Sequence, residues 1–277
     1  MRIMIFFLLF VVVIGAVFII VLHTNTENTE IQHIAYDSRL IGRPRIYTVY
    51  IEEYGELTPY LVLTQNYQQT FRVLLLRKYL LSEPMMFHRA NTTRYDSSEL
   101  DLWLDSAFLE RFNDDILSLI SLVNIEMWDG ETNRARVPIR RGSYRTLPAW
   151  ENTVLRPRRA FILSYSELGL RIDDLAPDEG QTLAYFRNNR HRRARHIDDP
   201  EQFQGYWTRS RRADRPSLFF GEIQRTANIG IVNSNGRASR RNWNSEQFVR
   251  PAFVMPRDTP IERHKMEDGR VVYIIPN

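Results

Sequence analysis

Residues 96–108 read DSSELDLWLDSAF, the clearest local pattern in the chain. Asp96 or Ser97 can cap a helix, and Glu99 stands three residues after Asp96, as in a capping box. Leu100, Trp103, Leu104, Ala107 and Phe108 then fall on one face. The stretch predicts an amphipathic helix buried on its Trp103 side. Just downstream, Asn113 is placed to cap a second helix starting at Asp114, with Ile116, Leu119, Ile120 and Val123 repeating at three and four residues. Upstream the period shortens to that of strands: IYTVYI at 46–51, YLVLT at 60–64 and FRVLLL at 71–76. The last two are separated by 66–70, short enough for a hairpin.

Past the helices the signal weakens. Residues 129–159 are rich in Gly, Pro and Arg and read as a long irregular excursion. A strand AFIL follows at 160–163, then a short helix that Ser164 or Ser166 can start. Arginine is dense from about Leu183 to Arg215, and brief apolar pieces stand at 229–232 and 252–255. Ile261 to Ile275 reads as a hairpin turning at Asp268-Gly269. No internal repeat of fixed period is visible, and one domain with insertions fits as well as two.

The chain of 277 residues is 43% apolar and 25% charged, too apolar for a disordered polymer. It has no cysteine, which removes disulfide scaffolds, thiolate zinc sites, thiol nucleophiles and iron–sulfur ligands. The mean hydropathy of −0.38 averages two unlike pieces. Ile3 to Leu22 is an unbroken apolar run that, at about 1.5 Å per residue, spans roughly 30 Å, the thickness of a hydrocarbon core. VLHTNTENTE follows without a small-x-small cleavage site, favouring an uncleaved signal anchor over a cleaved signal peptide or a buried core helix. Arg2 precedes the run and the next basic side chain is Arg39, so the bias places the amino terminus in the cytoplasm. Residues 1–22 are thus expected to be a single-pass anchor in the plasma membrane, 23–44 a stalk, and the remainder extracytoplasmic. An exported chain without cysteine suits a surface where folding does not rely on disulfides, as in many Gram-positive bacteria.

Four tracts in order carry a resemblance: LLLRKYLL at 74–81, SSELDLWLDSAFLERF at 97–112, YWTRS at 206–210, and NSNG with FVRPAFVMP at 233–236 and 248–256. They resemble an uncharacterised bacterial domain family. Its members carry "LLL-S-K-Y", "S-x-L-R-x-W-L-N-x-x-F", "W-W-L-R-S" and "G-x-R-P-A". That family in turn is similar to the C-type-lectin-like fold of formylglycine-generating enzymes. Asp101 replaces the family's Arg, Tyr206 its first Trp and Val249 its glycine. The resemblance implies an α+β, C-type-lectin-like domain at 45–256 with two helices and short antiparallel strands, after one transmembrane helix and before a hairpin tail at 257–277. It implies that the strand near 46–51 pairs with the one near 252–255. Trp103, Trp207, Arg209 and Arg250 are expected to be structural, planar guanidinium groups being suited to buried carbonyls and carboxylates.

Formylglycine-generating chemistry needs cysteines and is excluded. The chain has no G-x-S-x-G, no H-E-x-x-H and no phosphate loop, and His88, His191, His196 and His264 are scattered. The acidic pairs fit caps and turns, so no catalytic residue is assigned. Asn242-Trp243-Asn244-Ser245 lacks the carboxylate of a calcium-binding W-N-D tract; no metal and no cofactor are expected. What remains is ligand binding through loops 207–248, with Asn235, Arg240, Arg241, Asn242, Trp243 and Asn244 as candidates for an envelope glycan or a protein partner. The alternative is a structural subunit of an envelope or membrane complex. Lys78 and Lys265 are the two lysines, so arginine carries almost all positive charge. That bias reads either as codon usage or as an anion-binding surface of Arg190, Arg192, Arg193 and Arg195 facing wall polysaccharide. Nucleic acid is disfavoured by compartment.

Overall fold

The computed structural model describes residues 32–34, 48–90, 92–140, 143–170, 178–212, 228–266 and 268–277, with backbone alone over the strand residues between 131 and 152. The strands, in chain order, are β1 (Gln32–His33), β2 (Thr48–Glu53), β3 (Glu56–Thr64), β4 (Arg72–Arg77), β5 (Met85–Met86), β6 (Val123–Arg140), β7 (Ser143–Arg158), β8 (Ala160–Phe161), β9 (Ala194–Arg195), β10 (Phe203–Gln204), β11 (Tyr206–Arg212), β12 (Asn228–Val232), β13 (Ala238–Asn242), β14 (Glu246–Gln247), β15 (Ala252–Pro256), β16 (Pro260–Lys265) and β17 (Val271–Ile274). The main sheet runs β1-β16-β17-β2-β3-β4-β15-β8. A second sheet is β11-β12-β13, and β6 pairs with β7 alone.

Local patterns explain the main sheet. In β2, TVYIEE alternates between half-buried and buried, so one face meets the core. In β4, VLLLR is buried throughout, as befits a strand between β3 and β15 with both faces covered. The turn joining β2 to β3 is Tyr54-Gly55, with φ of 52° and 84°, the double left-handed turn that matches strand twist. The β3–β4 hairpin and the β16–β17 hairpin, turning through Gly269 at φ 79°, form where the sequence places them.

The expected α+β lectin-like architecture is overturned. β15 pairs with β4 and β8, whereas β2 pairs with β3 and, in parallel, with β17. The strands at 46–51 and 252–255 therefore do not meet. The protein is mostly β, and the α-helices among the described residues are Glu99–Leu104, Asp114–Leu119 and Asn189–Arg192. The largest difference lies at 129–159, expected to be an irregular excursion, most of which belongs to the long hairpin β6–β7. A two-stranded ribbon is held by its backbone ladder, so its sequence need not carry an apolar alternation. The turn after Ser164 does not become an α-helix. The C-terminal segment 257–277 supplies β16 and β17 to the main sheet instead of standing apart.

Among the described residues no helix is long and apolar enough to cross a membrane. The expected anchor at 1–22 lies outside the described residues, as does the 23–44 stalk apart from 32–34.

The Glu99–Leu104 helix is capped by Ser98, not Asp96 or Ser97: Ser98 Oγ accepts from Asp101 N at 3.0 Å. Asn113 Oδ1 caps the next helix by accepting from Ile116 N at 2.9 Å. Asp101 is fully buried and takes a forked bond from Arg158, with Nε at 2.8 Å from Oδ1 and Nη2 at 2.5 Å from Oδ2. That ion pair ties the helix to the base of the β6–β7 hairpin.

Candidate functional site

The six side chains proposed for ligand binding do not converge. Asn235 sits in the turn between β12 and β13, Arg240, Arg241 and Asn242 follow along β13, and Trp243 and Asn244 lie beyond its other end. Successive residues of β13 point to opposite faces, so Arg240 and Arg241 diverge. Asn235, Arg240, Arg241, Asn242 and Asn244 are exposed, whereas Trp243 packs against the core and its carbonyl accepts from Phe87 N and His88 N, each at 3.1 Å.

The four arginines proposed for anions also part company. Arg190 is exposed. Arg192 is buried and donates to the carbonyls of Gly236, Leu168 and Phe186 at 3.1, 3.0 and 2.6 Å, and to Asn189 Oδ1. Arg193 and Arg195 stack on the Phe203 ring at 3.6 and 4.7 Å. Of the residues read as structural, Trp207, Arg209 and Arg250 are buried and Trp103 is half-buried against the core. Trp207 Nε1 donates to Met85 O at 2.7 Å, and Arg250 Nε to Arg77 O at 3.0 Å.

A different constellation forms around Arg209, brought in by β11. Its Nη1 donates to Glu167 Oε2 at 2.7 Å and to Ile162 O at 2.9 Å, its Nη2 to Glu179 O at 3.1 Å, and its Nε to Glu126 O at 2.9 Å. Glu167 is set by a reciprocal bond with Ser164. Ser164 N donates to Glu167 Oε2 at 2.9 Å while Glu167 N donates to Ser164 Oγ at 3.1 Å. Tyr67 closes the same carboxylate, its hydroxyl 2.5 Å from Oε1. Glu179 accepts from Trp128 N at 2.9 Å on Oε1 and from the Ser210 hydroxyl on Oε2.

Arg209, Glu167 and Glu179 are all fully buried; Glu167 meets the guanidinium with its carboxylate, whereas Glu179 meets it with its main-chain carbonyl. Burial is the main force on Glu179 and Glu167 adds to it, so its pKa rises to about 7 although Arg209 and its hydrogen bonds pull the other way. Burial opposes the charge on Arg209, yet Glu167, Tyr67 and Glu179 outweigh that and hold its pKa above the ordinary value.

The network lies behind the wall of a cleft of about 500 Å³. Gly180, next to Glu179, and Gln181 form part of that wall, facing Leu122 to Asn124 and Glu126 of the β6 approach, Leu155 of β7, and the turn Gln68 to Thr70. The turn is strained: Gln68, Gln69 and Phe71 have φ of 47°, 61° and 55°, a left-handed region that bulky side chains rarely enter. Asn66 Oδ1 accepting from Phe71 N at 2.9 Å and Tyr67 O accepting from Thr70 N at 3.0 Å hold it in place. Phe71, Leu122 and Leu155 are exposed by 66%, 55% and 58% around this feature.

Nothing local in the sequence marks the cleft, because its described lining comes from four separated segments. The one legible trace was S-x-x-E at Ser164 and Glu167, which suggests a helix start and instead fixes a buried carboxylate.

A family of domains matches residues 71–257, from the start of β4 to just past β15. The chain belongs to that family, described as a domain of unknown function, DUF6273. The DUF6273 stretch contains Arg209, Glu167, Glu179 and most of the cleft wall, while Tyr67 to Thr70 stand just before it. No curated protein and no solved structure matches the chain.

Proposed function

We propose that this DUF6273 protein is a membrane-anchored recognition protein of the cell envelope, held by residues 1–22 with the rest of the chain outside the cytoplasm. Its ligand binds in the cleft between Gln68, Asn124 and Gln181 and is not chemically changed. The observation that carries this reading is the cleft itself, a concave site lined by both polar and apolar side chains whose wall is braced by a buried hydrogen-bonded network. Walls held in advance lower the ordering cost of binding. Among the described lining residues Glu126 is the single carboxylate, whereas acid–base hydrolysis of a glycoside uses a pair. The exposed Phe71, Leu122 and Leu155 favour a second reading, in which the same face meets another envelope protein and the chain is a structural subunit.

Both readings are tested by placing a photo-crosslinking residue at Gln69, an exposed position on the cleft wall, in the full chain on intact cells. Capture of an extracytoplasmic component from Gln69, but not from exposed Asp115 away from the lining, is the expected result. Equal capture at both positions, or capture of cytoplasmic components, would overturn the proposal.

A further inference from the structure

We infer that the ligand of the cleft is a neutral oligosaccharide, an assignment that rests on the cleft being the recognition site. Four amide side chains, Gln68, Gln69, Asn124 and Gln181, line it together with the Thr70 hydroxyl. A carboxamide presents a donor pair and an acceptor side by side, which suits adjacent sugar hydroxyls that both give and accept hydrogen bonds. Gln68 Nε2 lies 3.4 Å from the Tyr67 hydroxyl, and that hydroxyl is bonded to Glu167, so this amide is oriented from below.

Charge argues for neutrality. Among the described lining residues Arg72 is the one cation and Glu126 the one anion, and their charges balance. Arg72 is moreover turned to Leu122 O at 3.1 Å. Behind the wall, the one buried guanidinium is matched by the Glu167 carboxylate, so the network offers an anion no uncompensated cation. Acidic polysaccharide is therefore a poor fit at this site, whatever the chain's overall excess of arginine.

A peptide is disfavoured on geometry. An extended peptide adds to a sheet by bonding an open strand edge. Along the edge of β6 and its approach, Leu122 O is held by Arg72, Glu126 O by Arg209 and Trp128 N by Glu179. Three of the groups that a docking strand would use are thus occupied by side chains.

The full chain in a non-glycosidic detergent is titrated with neutral and acidic oligosaccharides. The expected result is binding of a neutral oligosaccharide that persists at about 1 M salt, where the Debye length is about 3 Å. Asn124→Ala and Gln181→Ala, both at exposed positions, should each weaken it about tenfold while leaving the thermal midpoint unchanged. Binding restricted to acidic oligosaccharides and lost in salt would overturn the assignment. If no sugar binds while the crosslinker at Gln69 still captures an envelope protein, the sugar assignment falls and the cleft reading stands. If a sugar binds equally well to both variants, the cleft reading falls with it.

Discussion

Two buried ion clusters in this protein have opposite balances. On the main sheet, Glu53 accepts from Arg77 Nε at 2.9 Å, from Arg111 Nη1 at 3.3 Å and from the Tyr60 hydroxyl at 2.5 Å, two guanidinium groups for one carboxylate. Under the cleft, one guanidinium lies among two buried carboxylates: Arg209 bonds the Glu167 carboxylate and the Glu179 main-chain carbonyl, and the Glu179 carboxylate accepts from Trp128 N and Ser210 Oγ. A guanidinium does not release its proton in a protein, so the surplus at Glu53 is permanent. Arg77 directs its remaining donors to the carbonyls of Tyr79 and Leu80, and Arg111 reaches the surface over the Tyr54 ring. A carboxylate can take up a proton, so the surplus under the cleft can be discharged near neutral pH. The first cluster is a fixed pin; the second answers to pH, and it sits beside the residues proposed to meet ligand.

The largest expected effect comes from removing the Arg209 guanidinium. Arg209→Met leaves two carboxylates buried without a cation and should cost about 5 kcal/mol in chemical denaturation, whereas Glu53→Gln should cost about 3 kcal/mol because Arg111 can turn to water. Equal losses would break the contrast between the clusters.

Next in size is the response to pH. The pKa of Glu179 is raised in the folded protein, so the folded state binds the proton more tightly than the unfolded chain. Its contribution to stability is full below the ordinary carboxyl pKa of 4.5 and is lost as pH rises through about 7. Between these limits the wild-type chain should lose roughly 3 kcal/mol, and Glu179→Gln, which mimics the protonated acid, should abolish that part of the slope. A thermal midpoint series across pH for both proteins measures it, and a slope identical in the two chains would contradict the assignment.

The smallest effect separates two glycines. Gly180 and Gly55 both have positive φ, 97° and 84°. A Cβ at Gly180 would stand 3.2 Å from Glu167 Oε1, while one at Gly55 meets nothing within 4 Å. Gly55→Ala should therefore cost only the backbone strain, about 1 kcal/mol, and Gly180→Ala somewhat more, with weaker ligand binding as well. If Gly180→Ala leaves binding untouched, the wall and the network behind it are not coupled.

Local pairing was legible before the fold was. The β3–β4 and β16–β17 hairpins and the Asn113 cap follow from apolar runs and turn residues within a few positions of each other. Sheet order was not legible, because β2 and β17 are more than two hundred residues apart and neither carries a mark naming the other. The lectin-like expectation failed at that level: its tracts describe local segments, and several arrangements of the same segments bury the same side chains. Asp101, noted as a departure from the family pattern, acquires its meaning only from Arg158, which the β6–β7 hairpin delivers to it. The candidate ligand residues Asn235 and 240–244 share a short window of sequence, but strand alternation turns neighbours such as Arg240 and Arg241 apart.

By itself, then, the sequence determined composition, the exclusion of thiol chemistry, the apolar run at 3–22, the caps and the short hairpins, since these depend on residues close in the chain. Only the tertiary structure decided which strands neighbour each other, which arginines are buried, and that Gln68, Asn124 and Gln181 share a cleft over Glu179. Such features depend on long-range pairing and on the removal of charge from water. The free energy of a buried carboxylate is set by whatever the fold places around it, and residue type alone does not carry that information.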